Sequence, residues 1–219
     1  MCGRYSLVNV NSLLRRYSLT NIGFHLSPRY NIAPTQDVPI IVREEQGNLV
    51  KSMKWGLVPH WAKDPKIGNS LINARAETVS EKPAFRPALS KRRCLVPADS
   101  FYEWVKVRKQ KVPQRILPKS REIMSFAGIW ESWVQKDKEP LLSFAIITTA
   151  ANELMKPIHD RMPVILKVED EDVWLNPTTT KTSLLNIFKP CNEDLLESYE
   201  VSRNINNPAN DGPDLIQAI

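Results

Sequence analysis

The chain has 219 residues, 42% of them hydrophobic and 25% charged, which suffices for one substantial core and not for two large ones. Prolines outnumber glycines 17 to 7, pointing to rigid extended connections, and neither G-x-x-x-x-G-K nor G-x-G-x-x-G is present to cradle a nucleotide phosphate. No apolar run nears the ~20 residues that span a bilayer and no apolar signal segment opens the chain, so a cytoplasmic or nucleoid location without membrane contact is expected.

Taken in chain order, apolar periodicity predicts a helix over 10–17, strands over 38–43 and 49–55, and a helical stretch from 81 to 85 running towards 89. Strands follow over 93–96, 101–107, 123–130 and 141–148, then a helix over 152–158 and a strand over 162–166. Helices over 169–175 and 180–187 have capping logic, with acids from Glu169 to Asp172 in a first turn and Asn176-Pro177 as a stop. The segment 113–118, bounded by prolines, is the best candidate for an exposed loop. Together these elements imply an α+β fold: a single mixed α/β domain over 1–219 with a strongly bent, partly closed, antiparallel-rich sheet and peripheral helices.

The net charge of +6 is unevenly spread: between Lys82 and Arg121 twelve Lys or Arg stand against Asp99 and Glu103, whereas from Lys167 to Glu200 three Lys face eight acids. A basic side and an acidic side are expected, although the stretch around 106–119 reads equally well as a solvated loop. Cys2, Cys94 and Cys191 are dispersed and odd in number, and His25, His60 and His159 are equally scattered. Neither a disulfide framework nor a metal site is expected from that spacing.

Cys2 is the most informative residue. Removal of Met1 would expose a 1,2-aminothiol, whose α-amine has a pKa of about 7.7–8.0 and can condense with an aldehyde to an imine. The thiol of the same residue, at very high effective concentration, then closes a thiazolidine ring. The thiolate could instead serve as an acyl-transfer nucleophile, and a small buried cysteine at a chain end is the plain alternative.

Four interior segments bear on that choice. In INARAET (residues 72–78) an extended run would put Asn73, Arg75 and Glu77 on one face, where an amide and a guanidinium could meet a phosphate or sugar oxygen. In FYEW (101–104) Glu103 shares a strand face with Phe101, and an apolar face would raise its pKa and suit it to proton transfer; an exposed carboxylate is the alternative. PIHDRMP (157–163) crowds His159, Asp160 and Arg161 before a strand, as in either a salt-bridged turn or a site. WGLVPHW (55–61) supplies two indoles around a Gly/Pro turn, fit for stacking an unpaired base or for the core.

The segments MCGRY (1–5), RYNIAPTQ (29–36), WGLVP (55–59), NARAE (73–77), CLVPA (94–98) with FYEW, FAGIWE (126–131), ITTAAN (147–152) and HDRMP (159–163) recur in order along the chain. They end in VSRN (201–204) with Asn206 and Asn207, and the whole resembles the SOS response-associated peptidase (SRAP) family, whose members process abasic sites.

The resemblance implies a monomeric, cofactor-free protein whose partner is single-stranded DNA containing an abasic site and which captures the sugar aldehyde as a thiazolidine on Cys2. By motif position Asn31 would hold the N-terminal residue or the opened sugar, Glu103 would act as acid/base, and His159 would assist proton transfer and reversal. Asn73 and Arg75 would bind the flanking phosphates, and Arg4, Trp61, Thr148, Thr149 and Arg161 would grip the strand. A peptidase activity through the same cysteine is also implied, with only Met1 left to remove here. Many relatives carry Gly where this chain has Ser100, so a positive φ at that position would be strained. Two rival readings remain open: an N-terminal-nucleophile amidohydrolase, which also begins Met-Cys-Gly, and a module that binds single-stranded or modified DNA without covalent chemistry.

Overall fold

The computed structural model of the chain describes residues 2–19, 21–136 and 138–219. In chain order these form β1 (Tyr5–Leu7), α1 (Leu13–Arg16), β2 (Arg29–Ile32), β3 (Asp37–Glu44), β4 (Gly47–Trp55), β5 (Asn73–Arg75) and α2 (Arg86–Lys91). There follow β6 (Arg93–Ala98), β7 (Ser100–Val107), β8 (Gln110–Pro118), β9 (Met124–Trp133), β10 (Leu141–Ala150), β11 (Arg161–Pro163) and β12 (Ile165–Leu166). The chain finishes with α3 (Val168–Leu175), α4 (Lys181–Ile187) and β13 (Leu196–Glu200), then two short 3-10 turns, Arg203–Asn206 and Pro213–Ile216.

One sheet runs β13-β8-β7-β1-β2, and all of its pairings are antiparallel. The other runs β11-β10-β4-β3-β6-β9-β12 with β5 on β10, and a further pairing of β9 with β10 closes β10, β4, β3, β6 and β9 into a ring. The mixed α/β fold with a partly closed, antiparallel-rich sheet is therefore as expected. β4 and β5 are the parallel partners of β10.

Side-chain volume explains the closure. Trp55, Phe126 and Phe144 are wholly buried, and Tyr5 and Phe101 from the other sheet reach the same core. Tyr5 meets Trp55 edge-on at 5.2 Å and Phe126 at 6.1 Å, and Phe101 meets Phe126 at 6.0 Å, separations at which aromatic pairs add to simple burial. The N-terminal strand is thus anchored by an aromatic plug one residue beyond Arg4.

Several elements depart from expectation. The stretch 162–166 is two strands, because Val164 donates its N–H to Ile147 O and accepts from Ala127 N–H, both at 2.9 Å, crossing from β10 to β9. Residues 152–158 form successive turns around the Asn152 carbonyl rather than a helix. Residues 10–17 divide into a 3-10 turn and α1, and only Asn73–Arg75 of 72–78 is extended.

The expectation of an exposed loop at 113–118 is incorrect: these residues lie in β8, between β7 and β13, with Val112, Pro113, Arg115, Ile116, Leu117 and Pro118 buried. Pro113 is compatible because it still accepts at its carbonyl, from Val201 N–H at 3.2 Å, although it donates nothing. Ser100 does not have a positive φ, and its hydroxyl bonds Ser6 Oγ at 2.6 Å and Arg115 Nε at 2.9 Å, so the departure from Gly is accommodated.

Gly56 (φ 130°) and Gly68 do require glycine. A Cβ on either would stand 2.6 Å or 2.5 Å from the other's carbonyl oxygen, and this close approach holds the loop that carries Trp61. At the opposite side Arg93, 6% exposed, ties the ends of α2 and α3 by donating to the carbonyls of Leu89, Ser90, Trp174 and Asn176. Among the described residues no helix is long and apolar enough to cross a membrane.

Candidate active site

The backbone before β1 runs on beside β7, with Tyr102 N–H donating to Arg4 O at 2.9 Å. That extension brings Cys2 next to Glu103. Cys2 is wholly buried, and Asn73, at the start of β5, donates from Nδ2 to the Cys2 carbonyl at 2.8 Å. Burial raises the thiol pKa well above its ordinary value, the Glu103 charge adds to the rise, and the Arg4 backbone N–H opposes it. In this environment the sulfur rests as S–H rather than as thiolate.

Glu103 is 4% exposed. Burial raises its carboxyl pKa and the neighbouring His159 opposes the rise. His159 Nδ1 lies 2.9 Å from the Arg161 backbone nitrogen, which donates to it. The Asp160 carboxylate, 84% exposed, lies 2.8 Å from the same nitrogen. Arg161 is held in turn by two bonds to Glu77, at 2.6 and 2.9 Å, and one to Thr148 O at 2.5 Å. The Arg161 bond draws the Glu77 carboxyl below the usual carboxylate range. The outcome is an open cleft of about 470 Å³ lined by Glu103, Trp104, Lys111, His159 and Asn206.

A second cluster braces the strand that carries Cys2. Arg4 Nη1 donates at 2.6 Å both to Asn31 Oδ1 and to Ile205 O, and its guanidinium lies over the Trp104 ring at 5.9 Å. Asn31 Nδ2 donates to Ile205 O, Asn207 O and Asn210 O at 3.2, 3.0 and 2.8 Å. Asp211 accepts from the N–H groups of Tyr30 and Asn31 and pairs with Arg29. Trp104 Nε1 donates to Asn206 Oδ1 at 2.8 Å. The segment after β13 is therefore strapped across β2 and β7, and places Asn206 in the cleft wall.

Of the residues that the sequence singles out, Cys2, Asn73, Glu103 and His159 are brought together by the fold. Arg4 and Asn31 meet beside them, with their polar atoms directed to each other and to the strap. Arg75 is exposed at the end of β5, and Arg161 borders the cleft through His159. Thr148 and Thr149 are buried, the first accepting from Arg161 and the second donating to Phe188 O at 2.8 Å. Trp61, 51% exposed, stands on its loop and does not line the cleft. Lys111 escapes sequence reasoning because its one signal is membership of a long basic stretch. The amine and thiol that a processed Cys2 would offer, a buried carboxyl and an imidazole beside an open cleft suit carbonyl condensation with proton transfer.

The family model described as SOS response associated peptidase (SRAP) matches residues 1–208. The chain is 44% identical over 225 residues to the abasic site processing protein YoqW of Bacillus subtilis, covering 100% of both. It is 30% identical over 225 residues to the abasic site processing protein HMCES of Xenopus tropicalis, covering 88% of this chain and 66% of that one. A crystal structure of a protein from Bacteroides thetaiotaomicron superposes with a TM-score of 0.91 at 30% identity, with 100% of each chain covered. The chain belongs to the SOS response associated peptidase family.

Proposed function

We propose that this family member processes abasic sites in single-stranded DNA by forming a thiazolidine between Cys2, after removal of Met1, and the aldehyde of the ring-opened sugar. The observation that carries the reading is the immobilised Cys2, its carbonyl bound by Asn73 and its side chain packed beside Glu103 at the cleft that His159 also lines. The relatives at 44% and 30% identity are named for abasic site processing, which supports the substrate class.

In the proposed sequence the free α-amine adds to the aldehyde carbon. Glu103, whose raised pKa lets it hold a proton closer to neutrality than an ordinary carboxyl, protonates the carbinolamine hydroxyl, which leaves as water. The Cys2 sulfur attacks the resulting iminium carbon while the thiol proton passes to Glu103. The ring closes, one water is released and Glu103 recovers its starting state. The high thiol pKa fits this order, in which the amine acts first and sulfur gives up its proton only on attack. His159 is the second proton carrier, for sugar-ring opening and reversal. Specificity comes from the reaction, because a nucleotide that keeps its base offers no aldehyde. Asn73 and Arg75 would meet the phosphates beside the lesion with the open end of the cleft.

The test is a denaturing gel. Mature protein incubated with a strand carrying one abasic site is expected to give a heat-stable adduct, and Cys2→Ala to lose it while keeping noncovalent binding. Absence of an adduct from protein shown by mass spectrometry to lack Met1 would refute the proposal. Full function in Cys2→Ala would favour the noncovalent module, and glutaminase activity the amidohydrolase.

A further inference from the structure

We propose that the tip of the β7–β8 hairpin, through the paired lysines Lys106 and Lys111, is a phosphodiester-binding site that holds the DNA strand next to the lesion. The site rests on the function proposed above and extends it to a surface outside the family motifs.

The register places Lys106 directly opposite Lys111, so the two ammonium groups share one face of the sheet. Like charges directly opposed across strands are destabilising, and a polyanion relieves that repulsion. The turn between them has a second cost. It is closed by the pairing of Val107 with Gln110, leaving two loop residues, a geometry that favours Gly, Asn or Asp wherever φ is positive. Here the left-handed position is Arg108, at φ 54°, followed by Lys109. A long cation occupies a backbone position better suited to a small residue.

Lys106, Arg108, Lys109 and Lys111 are all exposed or half-buried at the tip, and among the described residues none of the four forms an ion pair. Glu200 in β13 stands opposite Gln114, three residues from Lys111, and pairs with neither lysine. Arg203 from the strap reaches the same tip, donating to Gln110 Oε1 at 2.5 Å. Two local costs thus converge on a surface with unneutralised positive charge.

The surface is continuous with the cleft, because Lys111 lines it beside Glu103 and His159. Trp104 and Lys106 lie on the same face of β7, two residues or about 7 Å apart along the strand. Glu103 points to the other face of β7, so a strand whose baseless sugar reaches Cys2 meets the paired lysines by passing round the edge of β7, where the cleft takes in both Glu103 and Lys111. These groups grip phosphate without reading sequence, as a protein that recognises a missing base requires.

The experiment compares wild type with Lys106→Gln/Lys111→Gln, using a labelled single strand with all bases present and the same strand with one abasic site. For the intact strand the slope of log affinity against log salt is expected to become shallower by about 0.7 for each phosphate that is no longer neutralised, or about 1.4 for two. The thermal midpoint at low salt is expected to be equal or higher, and Lys106→Arg/Lys111→Arg to restore the slope. An unchanged slope and affinity with normal adduct formation would overturn the lysine site alone, as would a lowered thermal midpoint, which would make the lysines structural. Wild-type protein that shows the slope but forms no adduct would overturn the proposed function and leave the lysine site standing.

Discussion

Replacing Arg4 with Met separates two roles that an arginine beside this cleft can have. The structure gives its guanidinium two bonds of 2.6 Å, to Asn31 Oδ1 and Ile205 O, and a place over Trp104. Hydrogen bonds to a charged donor contribute about 1.5–3 kcal/mol each, and losing them leaves Asn31 Oδ1 buried and unpaired. Two effects offset part of this: Ile205 O keeps its bond from Asn31 Nδ2 at 3.2 Å, and the burial that lowers the Arg4 pKa ceases to oppose folding. The net loss is about 2–4 kcal/mol, equivalent to a fall of about 4–16 °C in thermal midpoint for a chain of this size. Thermal unfolding measures the loss, and hydrogen exchange locates it, with faster exchange expected in the strap from Arg203 to Asp211. An Arg4→Met protein with wild-type stability and wild-type exchange, but a shallower salt dependence of DNA binding, would show that Arg4 is a phosphate ligand and refute the clamp.

Three further outcomes follow from the geometry. Because burial raises the Glu103 carboxyl, the native state holds that proton more tightly than the unfolded chain, and stability falls as pH rises from about 4.3 through the raised native value. Glu103→Gln should therefore be more stable than wild type at neutral pH and little different in acid, while adduct formation slows by roughly 10²–10⁴-fold; urea titrations at both pH values and gel kinetics check this. Asn73→Ala removes the 2.8 Å bond to the Cys2 carbonyl, so adduct formation should slow by about 10- to 100-fold through misplacement of the terminus, with unfolding free energy lowered by about 1–3 kcal/mol. Arg93→Met removes a donor from four carbonyls at the ends of α2 and α3, of which Asn176 O keeps a bond from Thr179 N–H at 3.1 Å, and should cost about 3–5 kcal/mol in urea unfolding without altering the salt dependence of DNA binding.

Strands with a dense apolar pattern are legible within a few residues: the predicted 38–43, 49–55 and 141–148 are Asp37–Glu44, Gly47–Trp55 and Leu141–Ala150. What fails is non-local. β1 and β2 are short, and β1 is a strand because β7 and β2 flank it; β8 reads as a proline-rich basic loop until β7 and β13 flank it. Val164 breaks its strand because two partners claim its backbone from different sides, which no local pattern encodes. For the site, amine-thiol chemistry points to Cys2, and strand alternation puts Glu103 on the Phe101 face, which is indeed buried. The Arg4–Asn31 clamp is not legible, because its partners are main-chain carbonyls, which carry no residue identity. Lys111 is similarly hidden: its neighbour across the hairpin and its position on the cleft depend on a register that the sequence does not state.

The bond from Arg4 to Ile205 spans 201 residues. At about 5–20 residues per second, a ribosome needs roughly 10–40 s between making its two ends. During that interval the leading strand lacks its final brace. Locking follows translation of the tail, so a truncated product, even one retaining every residue of the cleft floor, would carry Cys2 on a loosely held strand.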